Sequence, residues 1–121
     1  MSNKDRSLLT GRLRSFVYAG RGIVQVFRNE PNAKIHLLAA CVVITLGLVL
    51  NVSKSDFALL AFAITMVFVT ETINTAIERL TDLASPEHHP LAAQAKDIAA
   101  GAVLLASIGA VFIGVIVFLP T

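Results

Sequence analysis

The sequence predicts an all-α membrane protein, with an N-terminal amphipathic helix lying at the interface and three transmembrane helices after it. Three observations predict this. The chain has 121 residues, enough for one domain (1–121), and 55% of them are hydrophobic, too apolar for a soluble protein of that size. Stretches 35–53 and 98–120 carry no formal charge, and each is long enough to cross a hydrocarbon core of about 30 Å. Seven of the ten basic residues precede the first of these stretches, so that end of the chain should meet an anionic surface. A membrane fits better than nucleic acid, because the rest of the chain offers no soluble binding face and few aromatics for stacking; no nucleic-acid partner is expected.

The arm, residues 6–29, is expected to lie on the membrane surface. At about 100° per residue, Leu9, Leu13, Phe16, Gly20, Ile23, Val24 and Phe27 share one face, and Arg14, Arg21 and Arg28 form a stripe beside it. Tyr18 falls on the opposite, polar face, where a plain anchor needs no aromatic ring. No cleavable signal peptide is expected, since the first apolar run comes late. Asn29-Glu30-Pro31 breaks the arm, because proline suits a helix start and disfavours a helical residue before it. Glu30 is thereby placed at an elbow near the headgroups.

The first crossing is expected over 33–53. Cys41 stands alone inside it, so it reads as a small packing residue and not as part of a disulfide framework or thiolate site. The second crossing, 56–84, has only 14 uncharged residues, 57–70, before Glu71. Its length alone would suit a buried soluble helix, but a chain with two flanking spans has nowhere to put a soluble core. Two prolines in Ser85-Pro86-Glu87-His88-His89-Pro90 make a loop, and the third crossing follows over 91–119. Glycines 101, 109 and 114 would let another helix approach closely. Three crossings put the N-terminus and the 79–96 connection on one side with nine of the ten Lys and Arg residues, so the N-terminal arm is expected to be cytoplasmic.

Glu71, Asn74, Glu78 and Asp82 fall within an arc of about 80° on one helix face. A carboxylate among apolar residues is costly if charged and unpaired, and such residues face a bundle interior or a functional cavity. One polar residue would suffice to glue helices together; four on one stripe exceed that need. Glu71 and Glu78 lie about 10 Å apart along the axis, which puts Glu71 at the depth of a lipid hydroxyl and Glu78 near water. In the low dielectric there, Glu71 is suited to accept a proton. Glu78 and Glu30 could supply hard oxygen ligands to Mg²⁺, and Lys96, followed by Asp97, could meet a phosphate. These are the parts phosphoryl transfer needs.

There is no glycine-rich phosphate loop of either common type, so side chains and metal would have to hold a nucleotide. His88-His89 lacks partners for a zinc site and reads as a solvated loop pair that could touch a ligand. His36 reads as an interface residue with its polar tip toward the headgroups. Two other readings stay open on the residues alone: a small proton-coupled transporter using Glu71, and a non-catalytic membrane assembly module in which the stripe only packs. One subunit's three crossings are too few to enclose a nucleotide and a lipid, so an oligomer is expected.

The run "ETINTAIE" from Glu71 to Glu78, followed by Asp82, "EHHPL" from Glu87 and "AKDIAAGAVLL" from Ala95, resembles the signature of the prokaryotic diacylglycerol kinase family, including its undecaprenol kinase branch. The similarity covers nearly the whole chain. It implies a small lipid kinase of the bacterial cytoplasmic membrane, a homotrimer with shared active sites that uses ATP and Mg²⁺. It further implies Glu71 as catalytic base with Asn74 beside it, Glu30 and Glu78 as metal ligands, and Lys96 and Asp97 as ATP contacts. The loop of Glu87, His88 and His89 would lie by the nucleotide and Tyr18 near the adenine. Diacylglycerol-type members tend to have a serine where this chain has Ala100, at the acceptor-lipid site; its absence leans the expected acceptor toward undecaprenol over diacylglycerol.

Overall fold

The computed structural model describes residues 1–120. Four helices follow one another: α1 (Asn3–Asn29), α2 (Pro31–Val49), α3 (Lys54–Ala84) and α4 (Pro90–Phe118), with no strand among the described residues. α2, α3 and α4 are each long and apolar enough to cross a membrane.

Local chemistry sets the boundaries. Ser2 and Asp5 form a reciprocal capping box at the start of α1. Glu30 is extended at φ −101°, ψ 114°, and Pro31 opens α2, so the elbow forms where the proline forbids a continuous helix. α2 ends at Val49, and Asn51 turns the chain with φ 52°, a left-handed conformation that asparagine tolerates better than most residues. Ser53 then caps α3, its Oγ accepting from the Asp56 N–H at 3.1 Å. The first crossing helix thus begins earlier than its uncharged run, because a helix starts at its cap and not at its last charge.

The α2–α3 hairpin is tight at its tip. A Cβ at Gly47 would lie 3.3 Å from the Phe57 ring, so glycine lets that ring rest against the α2 backbone. That contact fixes the register that later pairs the other ends of the two helices. α3 has 31 residues, about 46 Å of helix against about 30 Å of hydrocarbon. Its C-terminal part therefore reaches the surface. α3 and α4 form the most extensive antiparallel pairing in the chain.

The end of α1 is tied to this bundle. Val26 is buried, Phe27 meets Phe68 edge-to-face at 5.1 Å, and Arg79 Nη1 donates to Gln25 Oε1 at 3.3 Å. Leu9, Leu13 and Phe16 remain exposed, which suits a face that rests on lipid. Ala99 is the one buried position of α4 among the described residues; one face is partly covered by α3, and the other is open to lipid or another chain.

Candidate active site

The largest fully buried side chain among the described residues is a carboxylate. Glu71 is 2% exposed, on the α3 face that also buries Asn74 and Thr75. A buried polar group ordinarily finds a partner, yet Glu71 Oε2 and Asn74 Oδ1 are both buried without a hydrogen bond. Asn74 Nδ2 donates to Glu78 Oε1 at 3.1 Å, and Thr75 Oγ1 donates to the Glu71 carbonyl at 3.0 Å. The stripe read from periodicity is thus inward-facing from Glu71 to Glu78. Its lower part presents two acceptor atoms with nothing to bind.

α2 completes this face. His36 Nε2 lies 3.6 Å from Glu71 Oε2, just beyond hydrogen-bond range. Glu30 and Glu78, both half-buried, are within electrostatic reach of Glu71. The spacings match: six residues from Glu30 to His36 span about 9 Å, and seven from Glu71 to Glu78 about 10 Å. The antiparallel pair therefore carries two tiers, Glu30 with Glu78 above and His36 with Glu71 below.

The third wall is α4. Lys96 Nζ is ion-paired with Asp82 of α3, so the cation stands beside the upper end of the acidic stripe. With Glu87, His88 and His89 these two residues line a polar cavity of about 230 Å³. His89 has a structural task there, since its Nδ1 accepts from the Leu91 N–H at 3.1 Å and caps α4. His88 and Glu87 are exposed, as are Asp97 and Ala100 on α4. Tyr18 is exposed on α1 with the Arg21 guanidinium 5.8 Å from its ring centre; one chain alone does not bring it to the cavity wall. A second cavity, of about 390 Å³, opens below the lower tier, bounded by His36, Ala40, Leu60, Val67, Ser107 and Gly114 among others.

The donor set suits a hard divalent ion. No group of three or more His, Cys, Asp or Glu side chains gathers in one place among the described residues. Mg²⁺ needs only one or two protein carboxylates, with phosphate and water filling its remaining positions. Glu30 and Glu78 on the upper tier, beside the unpartnered Asn74 Oδ1, offer oxygen donors only.

Sequence reasoning missed two of these relationships. The sequence places His36 at the headgroups with no partner and gives no sign of the capping role of His89. Pro90 before an apolar run is a helix-start signal, but histidine is not among the usual cap residues. Nothing local announces that residue 36 meets residue 71.

A membrane-spanning helical bundle with a buried carboxylate under a polar rim defines a small integral-membrane enzyme working at the interface. A family model described as "Prokaryotic diacylglycerol kinase" matches residues 17–118. The chain is 42% identical over 121 residues to the "Undecaprenol kinase" of Bacillus subtilis, covering 99% of this chain and 98% of that protein. It is 41% identical over 107 residues to a "Diacylglycerol kinase" of Synechocystis, 88% of this chain and 61% of the relative. A "Diacylglycerol kinase" of Haemophilus influenzae is 30% identical over 112 residues, with 91% and 95% covered. The chain belongs to the prokaryotic diacylglycerol kinase family and is a lipid kinase.

Proposed function

We propose that this protein transfers the γ-phosphoryl group of ATP to the terminal hydroxyl of a membrane lipid at the cytoplasmic face of the bacterial inner membrane, with undecaprenol favoured over diacylglycerol. The observation that carries this is the buried, unpartnered Glu71 carboxylate one tier below Glu30 and Glu78. A lipid alcohol reaching up from the bilayer meets the lower tier first, and a water-borne triphosphate meets the upper.

Glu71 accepts the hydroxyl proton as the oxygen attacks phosphorus, and Asn74 is held beside it through its bond to Glu78. Glu30 and Glu78 would hold Mg²⁺, which when bound would offset the negative charge of the phosphates. Lys96 presents its ammonium to the same phosphates, with Asp97 next to it, while the loop of Glu87, His88 and His89 borders the nucleotide. Tyr18 packs near the adenine. Its distance from the cavity within one chain supports a homotrimer, in which a neighbour's arm closes the site, as does the nearly unburied α4. The side holding nine of the ten Lys and Arg residues is taken as cytoplasmic.

Undecaprenol is favoured because the relative from Bacillus subtilis that bears that name matches end to end, and because Ala100 supplies no hydroxyl to a glycerol headgroup. The test offers the detergent-solubilised protein labelled ATP with undecaprenol and diacylglycerol side by side. Faster phosphorylation of undecaprenol is expected. Label entering diacylglycerol alone would overturn the acceptor, and label entering neither would overturn the activity.

A further inference from the structure

A buried carboxylate that gains a proton in each turnover must also lose it. In the transfer, the lipid oxygen forms a bond to the γ-phosphorus and the bond from that phosphorus to the β-bridging oxygen breaks. The electron pair of the broken bond leaves on ADP, and the alcohol's proton is left over. On the reading above it sits on Glu71, which is 2% exposed and out of reach of bulk water. The next cycle cannot begin until it has gone.

The elements packed around Glu71 offer few routes. Glu30 at the elbow and Glu78 on α3 are within electrostatic reach, but both belong to the upper tier that faces metal and phosphate. On α4, Lys96 is engaged with Asp82 and Asp97 is exposed away from the buried face. His36 differs from all of these. Its Nε2 faces the Glu71 oxygen that lacks a hydrogen-bond partner, across 3.6 Å, and its side chain is 25% exposed. Imidazole is the side chain that takes up and gives back protons most readily near neutral pH, at one nitrogen or the other. Below it the cavity wall is apolar, so the lower tier is closed to water from the bilayer side.

We propose that His36 is the proton exit of the phosphoryl-transfer site, taking from Glu71 the proton received from the lipid hydroxyl and passing it to water at the membrane surface. The proposal rests on Glu71 being the base. The carboxylic acid yields its proton to Nε2, leaving a carboxylate facing an imidazolium. Release of the Nδ1 proton to water, followed by return of the ring to the tautomer with Nε2 free, restores the starting histidine beside the starting carboxylate. One proton leaves per phosphoryl group transferred, so the cycle balances. His36 touches neither substrate nor phosphorus in this scheme; it is a positioning and relay residue.

The test compares His36→Gln, His36→Ala and Glu71→Gln in the full-length protein in lipid, with saturating ATP and lipid alcohol. Glutamine can still hydrogen-bond Glu71 but cannot carry its proton. His36→Gln is expected to lower kcat by about tenfold to hundredfold, leave both KM values unchanged and alter the pH–rate profile. Added imidazole is expected to restore rate to His36→Ala and none to Glu71→Gln. A wild-type kcat and pH profile in His36→Gln, or a loss confined to KM, would overturn the proposal while an inactive Glu71→Gln left the base assignment standing. Full turnover in Glu71→Gln would remove the base assignment itself. The ¹⁵N chemical shifts of the His36 imidazole add a readout that needs no His36 variant. They are expected to differ between wild type and Glu71→Gln, and identical shifts would sink the relay.

Discussion

Lys96 of α4 is ion-paired with Asp82 of α3, one turn beyond Glu78 on the same α3 face. The lysine assigned to phosphate is therefore held in place before any nucleotide arrives. Both side chains are well exposed, and an exposed pair contributes only about 0–1 kcal/mol to stability. Lys96→Ala is accordingly expected to lower kcat/KM for ATP by about a hundredfold with little change in the thermal midpoint. Steady-state kinetics and a melt on the same preparation check both halves.

On the proposed function, the two tiers divide the work between the glutamates. Glu71→Gln keeps shape and removes basicity, so turnover should fall by about 10²- to 10⁴-fold while ATP still binds. Glu78→Gln keeps an oxygen that can accept from Asn74 but removes the charge of a proposed metal ligand, so Mg-ATP binding itself should weaken. Equilibrium binding of a non-hydrolysable ATP analogue separates the two outcomes. Equal loss of nucleotide binding in both variants would contradict the division.

Ala100 lies exposed on α4, so a serine fits there without repacking. One added hydrogen bond contributes about 0.5–1.5 kcal/mol. Ala100→Ser should therefore raise the rate with diacylglycerol relative to undecaprenol by roughly two- to tenfold. Competing the two lipids in one assay measures the ratio directly, and an unchanged ratio would separate Ala100 from acceptor choice.

Gly47 lets Phe57 lie against the α2 backbone; a Cβ there would sit 3.3 Å from the ring, so a larger residue must displace it. Gly47→Leu should destabilise the helical hairpin by about 1–3 kcal/mol. Phe57→Ala in the same background should recover part of the loss. Because this contact sets which α2 residue faces Glu71, activity should fall further than stability in the single variant.

Periodicity made the arm, the three crossings and the acidic stripe legible, since each is a pattern within one helix. Glu71 and Asn74 announced their burial by being polar where their neighbours are apolar. What crosses between helices was not legible in the same way. Whether His36 or Val43 faces Glu71 depends on the length of the 50–53 turn and on Gly47 against Phe57, which no single-helix pattern encodes. Tyr18 is the converse case. Its odd position on the polar face is visible, yet within one chain the ring meets the Arg21 guanidinium and lies off the cavity wall. Family resemblance, resting on residues 71–78 and 95–105, supplied the chemistry that spacing left open, and the family match over residues 17–118 agrees with it.

The sharp bend after Val49 also bears on how the chain enters its membrane. For α2 and α3 both to span, that bend must be carried through the hydrocarbon, and Lys54 and Asp56 are the only formally charged residues between 35 and 70. Their signs cancel, so the loop crosses without net work against a transmembrane voltage, which would otherwise amount to about 2.3 kcal/mol per charge at 100 mV. Biogenesis of this pair can then proceed as one looped insertion, at either polarity of the field, leaving the basic flank alone to decide which way it faces.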